Sequence, residues 1–132
     1  MTPEGLTTRP SVHGPRETMD RLAAAVQSRG MAVVARIDHS AAAAQVGLKL
    51  RPTEVLVFGN PLAGTGLMDK VQTLGIELPL KALVWHDNGG QTWVAYNDPK
   101  WLGKRHCLDV GSEQVLDAMS HALAAVAEEA AG

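Results

Sequence analysis

The stretch Leu80-Lys81-Ala82-Leu83-Val84-Trp85-His86-Asp87-Asn88-Gly89-Gly90-Gln91-Thr92-Trp93-Val94-Ala95-Tyr96-Asn97 decides the fold. Two runs rich in apolar and aromatic residues, Leu80 to Trp85 and Gln91 to Asn97, flank Asp87-Asn88-Gly89-Gly90. Asn and Gly accept positive φ, so this spacing predicts a β-hairpin with Trp85 and Trp93 as cross-strand neighbours. An antiparallel pair set among helical segments favours an α+β domain over a doubly wound parallel sheet.

Upstream, Glu54 to Phe58 is a nearly continuous apolar strand, as expected when both faces are covered. It ends at Gly59-Asn60-Pro61, where Gly59 allows close approach of another group and would resist a side chain if it adopts positive φ or lies against another backbone. Met31 to Asp38 alternates, with Met31, Val33, Ala35 and Ile37 predicted on one face and Ala32, Val34, Arg36 and Asp38 on the other. Leu6 to His13 is a further strand, and Pro10 marks it as an edge strand or a bulge.

Helices fill the intervals. Pro15 opens the first, with Met19, Leu22, Ala23 and Val26 as its apolar stripe and Gly30 as its stop. Ser40 is placed to cap a short alanine helix that ends at Gly47. The spacing of Leu67, Met68, Val71 and Leu74 predicts a helix over 62–74 capped by Gly75. Asp98-Pro99 starts a short helix, and Ser112 caps a long one with Val115, Met119, Ala122, Leu123 and Val126 buried. The expectation is a single two-layer domain over residues 1–132, with helices on one face of a mainly antiparallel sheet. Residues 1–5 and 129–132 are expected to fray. The other sheet face must meet water, a ligand or a second subunit.

Composition narrows the function classes. At 132 residues the chain can bury a core without staples, and its 45% apolar and 20% charged content is that of a globular protein. A net charge of -2 argues against a nucleic-acid partner that needs a basic footprint. No apolar run is long enough to span a membrane, and no secretory signal is visible. The single Cys107 rules out an intrachain disulfide, and the expected setting is cytoplasmic. Cys107 is read as a connector residue rather than a reactive thiol. No motif names a cofactor.

Several segments together resemble a known family. They are Glu17-Thr18-Met19-Asp20-Arg21-Leu22 with Arg29-Gly30-Met31, and Ile37-Asp38-His39 with Ala44 and Gly47-Leu48-Lys49-Leu50-Arg51-Pro52. To these are added Phe58-Gly59-Asn60-Pro61, Gly64-Thr65, Leu67-Met68, Leu78-Pro79-Leu80-Lys81 and Tyr96-Asn97-Asp98-Pro99. The combination resembles the bacterial and archaeal family called domain of unknown function 302. The resemblance implies a small α+β fold, TATA-binding-protein-like in outline, and a homodimer. It implies no reaction.

The residues themselves offer candidates. Asp38-His39 ends a strand, where the carboxylate either orients His39 as a general acid/base or caps the next helix. Asn60 leaves a buried strand, so its amide either binds a ligand or holds the loop. Gly64-Thr65-Gly66 precedes helical spacing but lacks the ending of a phosphate-binding loop. Trp85 and Tyr96 belong to the aromatic group around the hairpin, which packs, lines a pocket or forms a seam. The reading places His39, Asn60, Thr65, Trp85 and Tyr96 around one small-molecule site in a dimeric ligand-binding or sensory domain. A small enzyme using His39 and a purely structural module are the alternatives. No metal site is assigned; His39 and His86 with Asp38 or Asp87 are the only combination considered.

Overall fold

The computed structural model describes residues 2–132. The chain runs β1 (Leu6–Ser11), α1 (Pro15–Ser28), β2 (Ala32–Asp38), α2 (His39–Gln45), β3 (Thr53–Gly59) and α3 (Pro61–Lys70). A 3-10 turn over Gln72–Ile76 follows, then β4 (Leu80–His86), β5 (Thr92–Asn97) and α4 (Pro99–Arg105). A second 3-10 turn, Val110–Ser112, leads into α5 (Glu113–Ala131). The strands form one five-stranded sheet in the order β1-β5-β4-β3-β2, antiparallel throughout. The fold is α+β.

The hairpin sets the register. Trp85 lies opposite Trp93 and Val84 opposite Val94. The turn is held by Asp87, whose carboxylate accepts from the Gly89 and Gln91 N–H groups and from Trp93 Nε1. The Trp93 indole and then the Gln91 N–H hold that carboxyl below its ordinary value.

Leu56, Phe58, Ala82, Val84 and Val94 point to one face and are buried there with Met19, Leu22 and Val26 of α1 and Leu123 and Val126 of α5. The opposite face carries Val55, Val57, Leu83, Trp85 and Trp93, as the period-2 alternation requires. Pro10 lies in β1, an edge strand, where its missing N–H costs no central ladder bond.

Several expectations are corrected. The single-face alternation over Met31–Asp38 fails, because the register shifts between Val33 and Ala35. Val33 pairs with Phe58 on the helix side, whereas Ala35 and Ile37 pair with Val57 and Val55 on the other. A β-bulge at Val34 makes this switch. The short helix is capped by Asp38 rather than Ser40: Asp38 Oδ1 accepts from the Ala41 N–H at 2.9 Å. Ser112 begins α5 in helical backbone and makes no side-chain cap; its hydroxyl donates to Asp109. The helix expected over 62–74 ends at Lys70, because Val71 takes extended backbone, and Gly75 lies inside the 3-10 turn that follows.

Both ends make contacts with the rest of the fold. Ala130 and Ala131 are buried, and the Ala131 carbonyl accepts from the Val12 N–H at 3.0 Å. The Gly5 carbonyl accepts from the Asp98 N–H at 2.8 Å. Met1, part of the same expectation, lies outside the described residues. On α5, Leu116 replaces Val115 in the buried stripe, while Val115 remains 37% exposed.

The glycine that resists a side chain is Gly5 rather than Gly59. Gly59 is not at positive φ, and a Cβ there would meet Pro79 Cβ at an ordinary 3.6 Å. Gly5 has φ +80°, and a Cβ there would collide with the Trp101 ring. Gly5→Ala should therefore lose ~1–3 kcal/mol in urea unfolding, and Gly59→Ala should stay within ~0.5 kcal/mol of the parent. Leu56→Ala, in the middle of the buried sheet face, should lose ~2–5 kcal/mol in the same measurement.

Candidate functional site

The exit of β3 builds a largely apolar recess. Asn60 keeps extended backbone before Pro61, and Pro61 opens α3 at a position that needs no N–H donor. Asn60 Oδ1 accepts from the Leu62 N–H at 3.0 Å, so this side chain caps the helix. The strand-to-helix corner therefore follows from three adjacent residues. Beside it lies a cavity of about 500 Å³. Its walls come from Met31 before β2, Asn60 at the corner, Thr65 and Met68 on α3, and Met119 and Ala122 on α5. Arg29 is the one charged residue lining it among the described residues.

Of the expected site residues, the structure brings Asn60 and Thr65 together here. The other three do not join them. Trp85 is opposite Thr53, at the far end of β3 from Gly59, and points to the helix-free face. It stacks on Trp93 with ring centroids 6.2 Å apart. Tyr96 faces the helix side, packs against the main core and is not in the cavity wall. Burial, more than its neighbours, raises the pKa of its phenol. His39 is exposed at the Trp85 end of the sheet. The convergence of all five residues is therefore corrected. Period-2 geometry and strand length separate them.

Asp38 does not serve His39. Its carboxylate accepts from the Ser40 hydroxyl at 2.6 Å and from the Ala41 N–H, and the Ser40 bond first, then Ala41, lowers its pKa. His86 bonds Thr92 through Nδ1 at 3.2 Å, away from His39. No group of three or more His, Cys, Asp or Glu side chains able to hold a metal occurs among the described residues. Cys107 is exposed at φ 57°, just beyond the end of α4, which matches its reading as a connector.

One cluster has no counterpart in the sequence reading. His106 Nε2 meets Glu77 Oε2 at 2.6 Å, and its Nδ1 meets the Thr73 hydroxyl at 2.8 Å. Arg105 also donates to Glu77. The cluster ties the end of α4 to the segment after α3. Glu77 and His106 are 29 residues apart, and no local spacing rule joins them. A second cleft of about 570 Å³ beside Trp101 is polar and bordered by the Lys100–Asp117 ion pair. None of the expected site residues lines it.

The cavity and its corner are set within an α+β fold whose class is defined by the antiparallel sheet and its helical layer. The chain belongs to the family described as "Domain of unknown function DUF302", which matches residues 7–126. It is 45% identical over 128 residues to a protein named fluoride-specific ion channel FluC 1 from Brucella suis biovar 1 (strain 1330). That match covers 97% of this chain and 50% of the relative. A protein of the same name from Brucella abortus biovar 1 (strain 9-941) matches at 45% identity, with 97% of this chain and 47% of the relative covered. The chain thus spans about half the length of the curated relatives it matches. No helix among the described residues is long and apolar enough to cross a membrane. A crystal structure of an uncharacterized conserved DUF302 protein from Bacillus stearothermophilus superposes with a TM-score of 0.85. That likeness, at 22% identity over 97% of this chain and 99% of the other, establishes the fold.

The Glu77 cluster generates a pH prediction. Burial pushes the Glu77 carboxyl up, but hydrogen bonds from His106 and Arg105 outweigh it and leave the pKa below the ordinary 4.5. As pH falls the unfolded chain takes up this proton first. The stabilisation is therefore full above pH 4.5 and drains away as pH drops through the lower folded value. Glu77→Gln should cost ~1–3 kcal/mol at neutral pH. That difference should shrink below pH 4.5 in urea unfolding compared with the parent.

Proposed function

We propose that the chain is a dimeric small-ligand-binding domain, with its ligand in the cavity at the β3–α3 corner. The observation that carries this reading is the cavity itself. Its volume of about 500 Å³ is in the range of small-molecule sites, and an apolar wall with a few placed polar groups is their usual composition. Asn60 and Thr65 supply the polar groups, and Arg29 supplies the charge.

The dimer contact is assigned to the helix-free sheet face. Val55, Val57, Leu83 and the stacked Trp85–Trp93 pair make it apolar, and Ile37 on β2 is 44% exposed beside them. Val46, Leu48 and Leu50 after α2 extend the exposed apolar surface. A face of this composition is characteristic of an interface core. The family resemblance points to the same second copy. The lone free Cys107 fits a cytoplasmic setting.

The FluC relatives fit the same reading. We assign the conduction of fluoride in those proteins to the half that this chain does not cover, and a ligand-responsive accessory role to the half that it resembles. An acid/base role for His39 is not favoured, because the Asp38 carboxylate is occupied by Ser40 and Ala41.

Native mass spectrometry should report twice the 14.0 kDa chain mass, and Leu83→Arg should return it to a single chain. The anionic dye 1-anilinonaphthalene-8-sulfonate should bind the parent and lose its fluorescence gain in the cavity-filling variant Ala122→Trp. A monomeric parent overturns the dimer. Dye binding that is unchanged by Ala122→Trp overturns the cavity as the ligand site.

A further inference from the structure

We infer that the cavity takes an amphiphilic carboxylate, with its apolar body among Met31, Met68 and Met119 and its carboxylate against Arg29. This rests on the cavity being the ligand site, and it adds the ligand's chemical class.

The polarity of the lining gives the sign of the head group. A guanidinium has donors and no acceptor. The Asn60 side-chain oxygen is already engaged by the Leu62 N–H, so the donor that Asn60 has to offer is its amide NH2. The Thr65 hydroxyl can donate as well. No Asp or Glu lines the cavity among the described residues. A cationic head would meet Arg29 with no carboxylate in the cavity wall, since Glu129, the partner of Arg29, does not line it. The three polar or charged residues of the wall, Arg29, Asn60 and Thr65, all carry donors that an acceptor-rich anion can use.

Arg29 is held in place yet available. Its backbone N–H bonds the Ala25 and Val26 carbonyls at the end of α1, which fixes the start of its side chain. Among the described residues its one ion-pair partner is Glu129, at 3.4 Å from Nη2, and both side chains are nearly half exposed. An exposed pair of this length is weak. A carboxylate whose tail is already buried can bind the remaining guanidinium donors, where bidentate geometry favours carboxylates.

The rest of the wall selects the body of the ligand. Three of the chain's five methionines line this one cavity. Methionine is unbranched and polarizable, so such a wall adapts to the shape of an aliphatic chain or small ring system. Beyond Arg29, Asn60 and Thr65 the lining offers no polar side chain among the described residues. A sugar or nucleotide would leave most of its hydroxyls without protein partners against that wall, which is costly where they are buried.

The methionines also report on the site. In protein carrying 13C-labelled methionine methyl groups, sodium decanoate and 1-decanol are titrated separately. Decanoate should shift the Met31, Met68 and Met119 signals and leave Met19, buried in the main core, unmoved. Decanoate should bind at least tenfold more tightly than decanol. Arg29→Gln should bring decanoate to the decanol level without changing decanol, and Arg29→Lys should restore part of the preference. Equal affinity of the two ligands, or a preference that survives Arg29→Gln, overturns the carboxylate assignment while leaving the cavity as a ligand site. If neither ligand moves the three cavity methionines, or if Met19 moves with them, both the assignment and the ligand-site reading fall.

Discussion

Burial of one sheet face beneath α1 and α5 is the constraint on which the rest of the molecule depends. Two long helices are enough to cover Leu56, Phe58, Val84 and Val94. They leave the opposite face of the same five strands without a helical layer. On that face Ile37 remains 44% exposed, whereas Ala95 is buried within the chain. α5 also contributes Met119 and Ala122 to the cavity wall, so one helix serves both the core and the candidate site. The pairing of the Ala131 carbonyl with Val12 makes the last turn of α5 part of that core rather than a free end.

Much of the fold was legible because its determinants are local. The hairpin is specified by Asp87-Asn88-Gly89-Gly90 and by the alternation on each side. The start of α1 is specified by Pro15, and Gly30 has the positive φ expected after its end. The bulge at Val34 was not legible. An added residue in a run of alanines and valines leaves no mark, and only pairing with β3 shows that the two halves of β2 face opposite ways. The burial of Ala130 and Ala131 was hidden for a related reason. Small residues at the end of a sequence resemble a loose tail until a strand is found against them.

The site was legible to the extent that it is local. Asn60 and Thr65 are five residues apart around one corner, and both reach the cavity. Trp85 and Tyr96 looked like neighbours because aromatic residues cluster in that part of the sequence. Their positions on β4 and β5 send them to opposite faces. Arg29, Met68 and Met119 come from three separate elements, and no periodicity connects them. The Glu77–His106 contact is hidden in the same way. Long-range convergence is the part of a site that a single sequence conceals most completely.

Pro10 and the bulge at Val34 have a consequence for how the protein meets its own copies. Each lies in an outermost strand of the sheet, β1 and β2 respectively. A proline withholds a donor from an incoming strand, and a bulge twists the edge away from the straight geometry that a docking strand requires. Both lateral routes to sheet extension are therefore blunted. Head-to-tail addition along the hydrogen-bonding direction, which would grow without limit, is disfavoured. The same two irregularities that interrupt the regular sheet thus make both of its edges poor templates for a docking strand.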